Sequence, residues 1–116
     1  MTILFVVNDP PYGTERAYNA LRLAGALAKR EDTPVRVFLM GDAAACAKAG
    51  QSVPNGYYRL ERMIAAVTQR GGEVAACGTC MDARGIADAE LAEGTRRGTL
   101  EELADWTHSA DRVLVF

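Results

Sequence analysis

The apolar positions follow two periodicities. Thr2-Ile3-Leu4-Phe5-Val6-Val7 is an unbroken β-favouring run, apolar on both faces, as in a parallel strand covered by helices on each side. Residues 8–13 are rich in turn formers. From Thr14, a residue type that caps helices, the spacing becomes helical to about Arg30. Ala17, Leu21, Ala24 and Ala28 recur along one face, and Ala20, Leu23 and Leu27 widen it. Asp32-Thr33-Pro34 breaks this helix. Val35, Val37 and Leu39 alternate with Arg36 and Phe38, which predicts a second strand to about Met40. Gly41-Asp42 reads as a turn, with Asp42 placed to cap a short helix over 43–49 that closes at Gly50.

Beyond a polar loop over 51–56, Tyr57 and Tyr58 are expected to open a helix with a Leu60, Met63, Ile64 and Val67 stripe. Glu61 is available to pair with Arg62 or Arg84. Gly71-Gly72 stops the helix, and residues 73–77 read as a third strand, weakened by two alanines. Residues 82–85 suggest a tight turn or short helical piece. Asp88 is placed to cap a brief helix closed by Gly94, and residues 95–97 suit a short charged edge strand. Thr99 and Glu102 have capping-box spacing for a helix from Leu100 to about His108, burying Leu103 and either Trp106 or Thr107. Residues 112–116 form a last strand. This alternation predicts an α/β fold, a three-layer α/β/α sandwich with a mostly parallel five-stranded sheet, over a single domain 1–116.

Charge narrows the function classes. Thirteen Lys and Arg against fifteen Asp and Glu give a formal charge of −2. No long basic run is present, which argues against nucleic acid as a partner. The first apolar run lacks a basic start and is too short for a signal or a membrane span, so a cytoplasmic protein without a membrane partner is expected. Three cysteines suit a reducing compartment better than a disulfide-stapled domain.

In an open parallel sheet, chemistry collects beyond the carboxyl ends of the strands. That rule gathers Asn8, Asp9 and Tyr12 after the first strand. It adds Asp42 and Cys46 after the second, and Cys77, Cys80, Asp82 and Arg84 after the third. Cys77-Gly78-Thr79-Cys80 has the spacing of a reactive thiol pair, with incidental buried cysteines as the alternative. Arg84 is a candidate to stabilise a thiolate, and Gly85 permits a sharp turn. Closed zinc sites take four ligands and this pair supplies two, so no metal is expected. His108 falls on a helix leading away from this rim, which argues against a histidine-assisted cysteine hydrolase. No dinucleotide fingerprint is present, and no cofactor is expected. The 8–13 loop either shapes a pocket or is a rigid turn. Tyr57 and Tyr58 suit a pocket, an oligomer contact or ordinary packing.

Several stretches together resemble the DsrE/DsrF-like family, in its small single-domain YchN-like branch. They are Asn8-Asp9-Pro10-Pro11-Tyr12-Gly13-Thr14, Val37-Phe38-Leu39-Met40-Gly41-Asp42-Ala43, Gly56-Tyr57-Tyr58, residues 77–86 and residues 110–116. The resemblance covers essentially the whole chain. It implies a five-stranded parallel α/β/α sandwich that assembles as a homotrimer or hexamer. It also implies sulfur relay, in which a cysteine persulfide receives sulfur from a donor protein and passes it to an acceptor. The family's carrier cysteine ends the third strand and is followed by Arg-Gly, which matches Cys77 with Arg84-Gly85. Cys80 departs from the relay pattern and suggests persulfide resolution, a disulfide state or a different binding function. The expectation is therefore a persulfide carrier or relay accessory using Cys77, Cys80 and Arg84, with sulfurtransferase-like activity left open. Asn8, Asp9, Tyr12, Asp42, Cys46, Tyr57, Asp82 and Gly85 are its candidate binding residues. The alternatives are a small-ligand or protein-binding module with redox-sensitive Cys77 and Cys80, and a thiol oxidoreductase.

Overall fold

The computed structural model describes residues 1–116. Strands β1 (Ile3–Val7), β2 (Val35–Leu39), β3 (Glu73–Cys77), β4 (Thr95–Gly98) and β5 (Arg112–Val115) form one sheet in the order β4-β3-β2-β1-β5. Every neighbouring pair is parallel. The connections carry helices α1 (Arg16–Ala28), α2 (Leu60–Thr68), α3 (Gly78–Ala83) and α4 (Leu100–Ser109), with 3-10 turns at Gly41–Ala47 and Asp88–Glu90. The chain is thus the predicted three-layer α/β/α sandwich, and all five strands are parallel.

Successive strand residues point to opposite faces, so each apolar run serves two cores. Phe5, Val7, Val37, Leu39, Val74 and Ala76 face α1 and α2 and pack with Leu21, Ala24, Leu60, Ile64 and Val67. Leu4, Phe38, Ala75 and Cys77 face the other way, where α4 covers them with Leu103 and Trp106. Trp106 meets Phe38 edge-on, with ring centroids 6.2 Å apart. It also lies beneath the guanidinium groups of Arg36 and Arg96, at 5.4 and 5.6 Å from its ring centroid. Burying side chains of this size contributes about 2 kcal/mol each. The Thr99 hydroxyl accepts the Glu102 N–H at 3.1 Å, which starts α4 as the sequence predicts.

Several local expectations are corrected. Tyr57 and Tyr58 precede α2 and stack with Tyr12 and Tyr18 instead of entering the helix. The segment after β2 is a 3-10 turn that ends at Ala47, and Asp42 caps nothing because its carboxylate is engaged by Arg84. Asp88 likewise gives its carboxylate to Arg97, and the turn beginning there is preceded by Ala87. Glu61 pairs with neither arginine but accepts the Gly50 N–H at 3.1 Å. Glu15, not Thr14, precedes α1; the Thr14 hydroxyl donates to Asp9 at 2.7 Å and accepts the Arg16 N–H at 3.3 Å. Leu23 sits on the flank of α1 and is exposed. No helix is long and apolar enough to cross a membrane.

Candidate thiol site

Side-chain parity along β3 decides where the third strand delivers its thiol. Val74 and Ala76 face α1 and α2, so Cys77 faces α4 with Ala75. The chain then turns directly into α3 at Gly78, and the Cys77–Cys80 spacing spans the first turn of that helix. A side chain on residue 78 would meet Arg97, whose Nη1 lies 2.7 Å from the position of an added Cβ. Glycine at 78 therefore lets the Arg97 side chain lie close over this turn.

Helix α3 has only six residues but is fixed on all sides. Met81 is fully buried beneath it. Its end carries paired bonds, Ile86 N–H to the Met81 carbonyl at 3.0 Å and Gly85 N–H to the Asp82 carbonyl at 3.2 Å. Gly85 is left-handed, with φ +66°, and Ile86 returns to the core. Asp82 is gripped by Arg97, with contacts of 2.9 and 3.3 Å, and Arg97 also binds Asp88 at 2.8 Å. The Arg97 hydrogen bonds hold the Asp82 carboxyl below its ordinary range. On the other flank, Arg84 binds Asp42 through Nη2 at 2.7 Å and Nε at 3.1 Å, while its Nη1 donates to the Cys80 carbonyl at 3.0 Å.

The two thiols are distinguished by this frame. Cys77 is 9% exposed, and its sulfur lies 3.3 Å from the Thr79 hydroxyl. Burial pushes its pKa up, but hydrogen bonding from the Cys80 thiol, the Thr79 hydroxyl and the N–H groups of Cys80 and Thr79 outweighs this. The result is a thiol below its ordinary range, favouring the thiolate. Cys80 moves in the opposite direction. Burial raises it, as do donation to Cys77 and the nearby Cys77 charge; the Gly41 N–H and Arg84 lower it, and the net shift is upward. The Gly41 N–H reaches the Cys80 sulfur at 3.1 Å from a backbone with φ +59°. The charge of Arg84 is thus felt at Cys80, not as the direct support for Cys77 that the sequence suggests.

A cavity of about 360 Å³ opens over this pair. Phe38, Met40 and Leu100 give it apolar walls, and Thr79, Arg97 and Thr99 join the two cysteines on its polar side. Asp82 within α3, and Asp42, Arg84 and Gly85 around it, do not line this space. The remaining candidates lie elsewhere on the rim. Cys46 is buried, points at the Asp9 carbonyl at 3.7 Å and is pushed up to about 12 by burial. Asn8 donates through Nδ2 to the Phe116 carbonyl at 3.2 Å, and Asp9 is held by Thr14 and by Arg16 at 3.7 Å. Tyr12 accepts the Leu60 N–H at 3.2 Å and, with Tyr57 and Tyr58, borders a separate cavity of about 370 Å³. The rim is therefore two sites, a thiol site against α4 and a tyrosine cluster beside α1 and α2.

Sequence reasoning missed Arg97, the Gly41 N–H and the Thr79 hydroxyl. The strand-end rule, applied to β4, was the available signal for Arg97. Thr79 lies inside the cysteine motif, whereas nothing local pairs Gly41 with Cys80.

Fold and site define a small parallel α/β protein that presents a polarised thiol pair at the strand ends. The chain belongs to the DsrE/DsrF-like family, whose model matches residues 1–116. It is 44% identical to the YchN protein of Escherichia coli strain K12 across 98% of this chain and 97% of that one. An uncharacterised protein of Methanopyrus kandleri is 40% identical, covering 98% of this chain and 93% of the relative. The crystal structure of E. coli YchN superposes with a TM-score of 0.94, covering 100% of this chain and 99% of that chain. A protein of unknown function from Methanobacterium thermoautotrophicum shares the fold alone, with a TM-score of 0.74 at 13% identity, covering 99% and 98% of the two chains. These similarities support the YchN-like branch.

Proposed function

We propose that the chain carries sulfur as a persulfide on Cys77. Family membership supports a sulfur-relay role in general. The observation that carries the specific reading is a strand-end thiol that opens onto a cavity, with the Thr79 hydroxyl 3.3 Å from its sulfur. The Cys77 thiolate attacks the outer sulfur of a donor persulfide. A bond forms between Cys77 Sγ and that sulfur, the donor's sulfur–sulfur bond breaks, and the donor leaves as a thiolate. An acceptor thiolate then attacks the outer sulfur and frees Cys77. Hydrogen bonds at Cys77 Sγ stabilise the thiolate at the start and at the end of each cycle.

The donor and acceptor are thiol-bearing proteins in this reading, and the chain works as a homo-oligomer, a trimer or hexamer. Val113 and Val115 on β5 and Leu100 beside the thiol cavity are exposed apolar positions that support self-association.

Intact mass spectrometry after incubation with glutathione persulfide tests the carrier role. In a Cys80→Ser background, Cys77 is expected to gain one sulfur, about 32 Da, and to lose that capacity on Cys77→Ser. Uptake that persists without Cys77 sinks the assignment.

A further inference from the structure

The thiol pair is asymmetric in a way that simple carriage does not require. Cys80 accepts the Gly41 N–H at 3.1 Å and has its carbonyl held at 3.0 Å by Arg84, whereas the Cys77 sulfur lies against the Thr79 hydroxyl at 3.3 Å. Arg84 is itself anchored on Asp42. The second cysteine is thus fixed on the wall of the cavity it shares with the first by the β2–3-10 junction, a segment distant in sequence.

Resting on the reading of Cys77 as the sulfur carrier, we propose that Cys80 is a resolving thiol. It converts a Cys77 persulfide into a Cys77–Cys80 disulfide and hydrosulfide, which makes the chain a persulfide reductase. The Cys80 thiol gives its proton to solvent, and its sulfur attacks Cys77 Sγ. The Sγ–Sγ bond forms as the bond from Cys77 Sγ to the outer sulfur breaks. The outer sulfur leaves with the electron pair as hydrosulfide; it is reduced, and the two cysteines are oxidised. A dithiol reductant then restores both thiols by exchange and is itself oxidised to a disulfide. The substrates are therefore a persulfide donor and a dithiol.

The spacing across the first turn of α3 places both thiols on the wall of one cavity. The outer sulfur has the adjoining cavity to occupy. While Cys77 is a thiolate, its charge disfavours a Cys80 thiolate. Loading takes that charge off Cys77 Sγ, while the Gly41 N–H and Arg84 still favour a Cys80 thiolate.

The full chain is reduced, loaded anaerobically with glutathione persulfide and freed of excess donor. Released sulfide and intact mass are then followed with no reductant present. Wild type is expected to release one sulfide per chain and to end about 2 Da below the reduced mass, as a disulfide. Cys80→Ser and Cys80→Ala are expected to keep the added sulfur on Cys77 and to release sulfide at least about tenfold more slowly. Dithiothreitol added after the sulfide has been released should return wild type to its reduced mass and allow a second round of loading. Wild type that holds its sulfur as firmly as the variants overturns resolution and leaves the carrier role standing; so does sulfur recovered on Cys80. Failure of every form to take up sulfur, with no sulfide from wild type, removes the carrier role and this step with it.

Discussion

The pKa of Cys77 is lowered by donors that arrive within its own first turn, against burial, which acts to raise it. The Thr79 hydroxyl at 3.3 Å is the one that substitution can delete with least disturbance, because Thr79 is exposed. Hydrogen bonds to a thiolate lower its pKa, so removing one raises it. Thr79→Val should move the half-point of Cys77 alkylation by iodoacetamide to higher pH, read by mass-mapped rates across a pH series. An unchanged profile would leave the hydroxyl with no part in the activation. In the same experiment Cys46, pushed up to about 12 by burial, should stay unmodified in the native protein. Cys77 and Cys80 were legible as a neighbouring thiol pair because the motif is local. Their opposite polarisation was not, because it depends on how deeply each sulfur is buried and on which donors reach it.

Helix α3 is short enough that its ends decide whether it forms. Gly85 terminates it at φ +66°, and an added Cβ there would meet nothing within 4 Å. Gly85→Ala therefore isolates the backbone cost of a left-handed alanine, about 1 kcal/mol, measurable by urea denaturation. A loss near zero would mean that the termination is not needed to hold the helix. The strands were readable because unbroken or alternating apolar runs admit few other structures, and β3 spans the expected residues 73–77. The start of α2 was not, since Tyr57-Tyr58 carries no helix-breaking residue. Their stacking with Tyr12 and Tyr18, up to 46 residues away in sequence, holds them out of the helix. The 3-10 turn after β2 was equally hidden: its alanines suit an α-helix, and the Gly41 geometry is set by contacts with α3.

The β4-β3-β2-β1-β5 order brings the β2 and β3 ends side by side, which is why residues from both meet at the thiol site. Parallel topology made that convergence foreseeable, but the division of the rim into two cavities was not, because it depends on which face each helix covers. The α4 layer leaves β5 incompletely covered, with Val115 67% exposed. Under the proposed self-association, Val115→Lys should lower the solution mass by light scattering while leaving the thermal midpoint of the dissociated chain within a few degrees of wild type. Unaltered mass would exclude this strip as the contact. The single tryptophan has a further use. Trp106 touches Phe38, which lines the thiol cavity, whereas all four tyrosines cluster beside α1 and α2 on the other side of the sheet. Selective excitation of the indole thus gives a label-free optical channel onto the thiol-cavity side, spectrally separated from the tyrosine side.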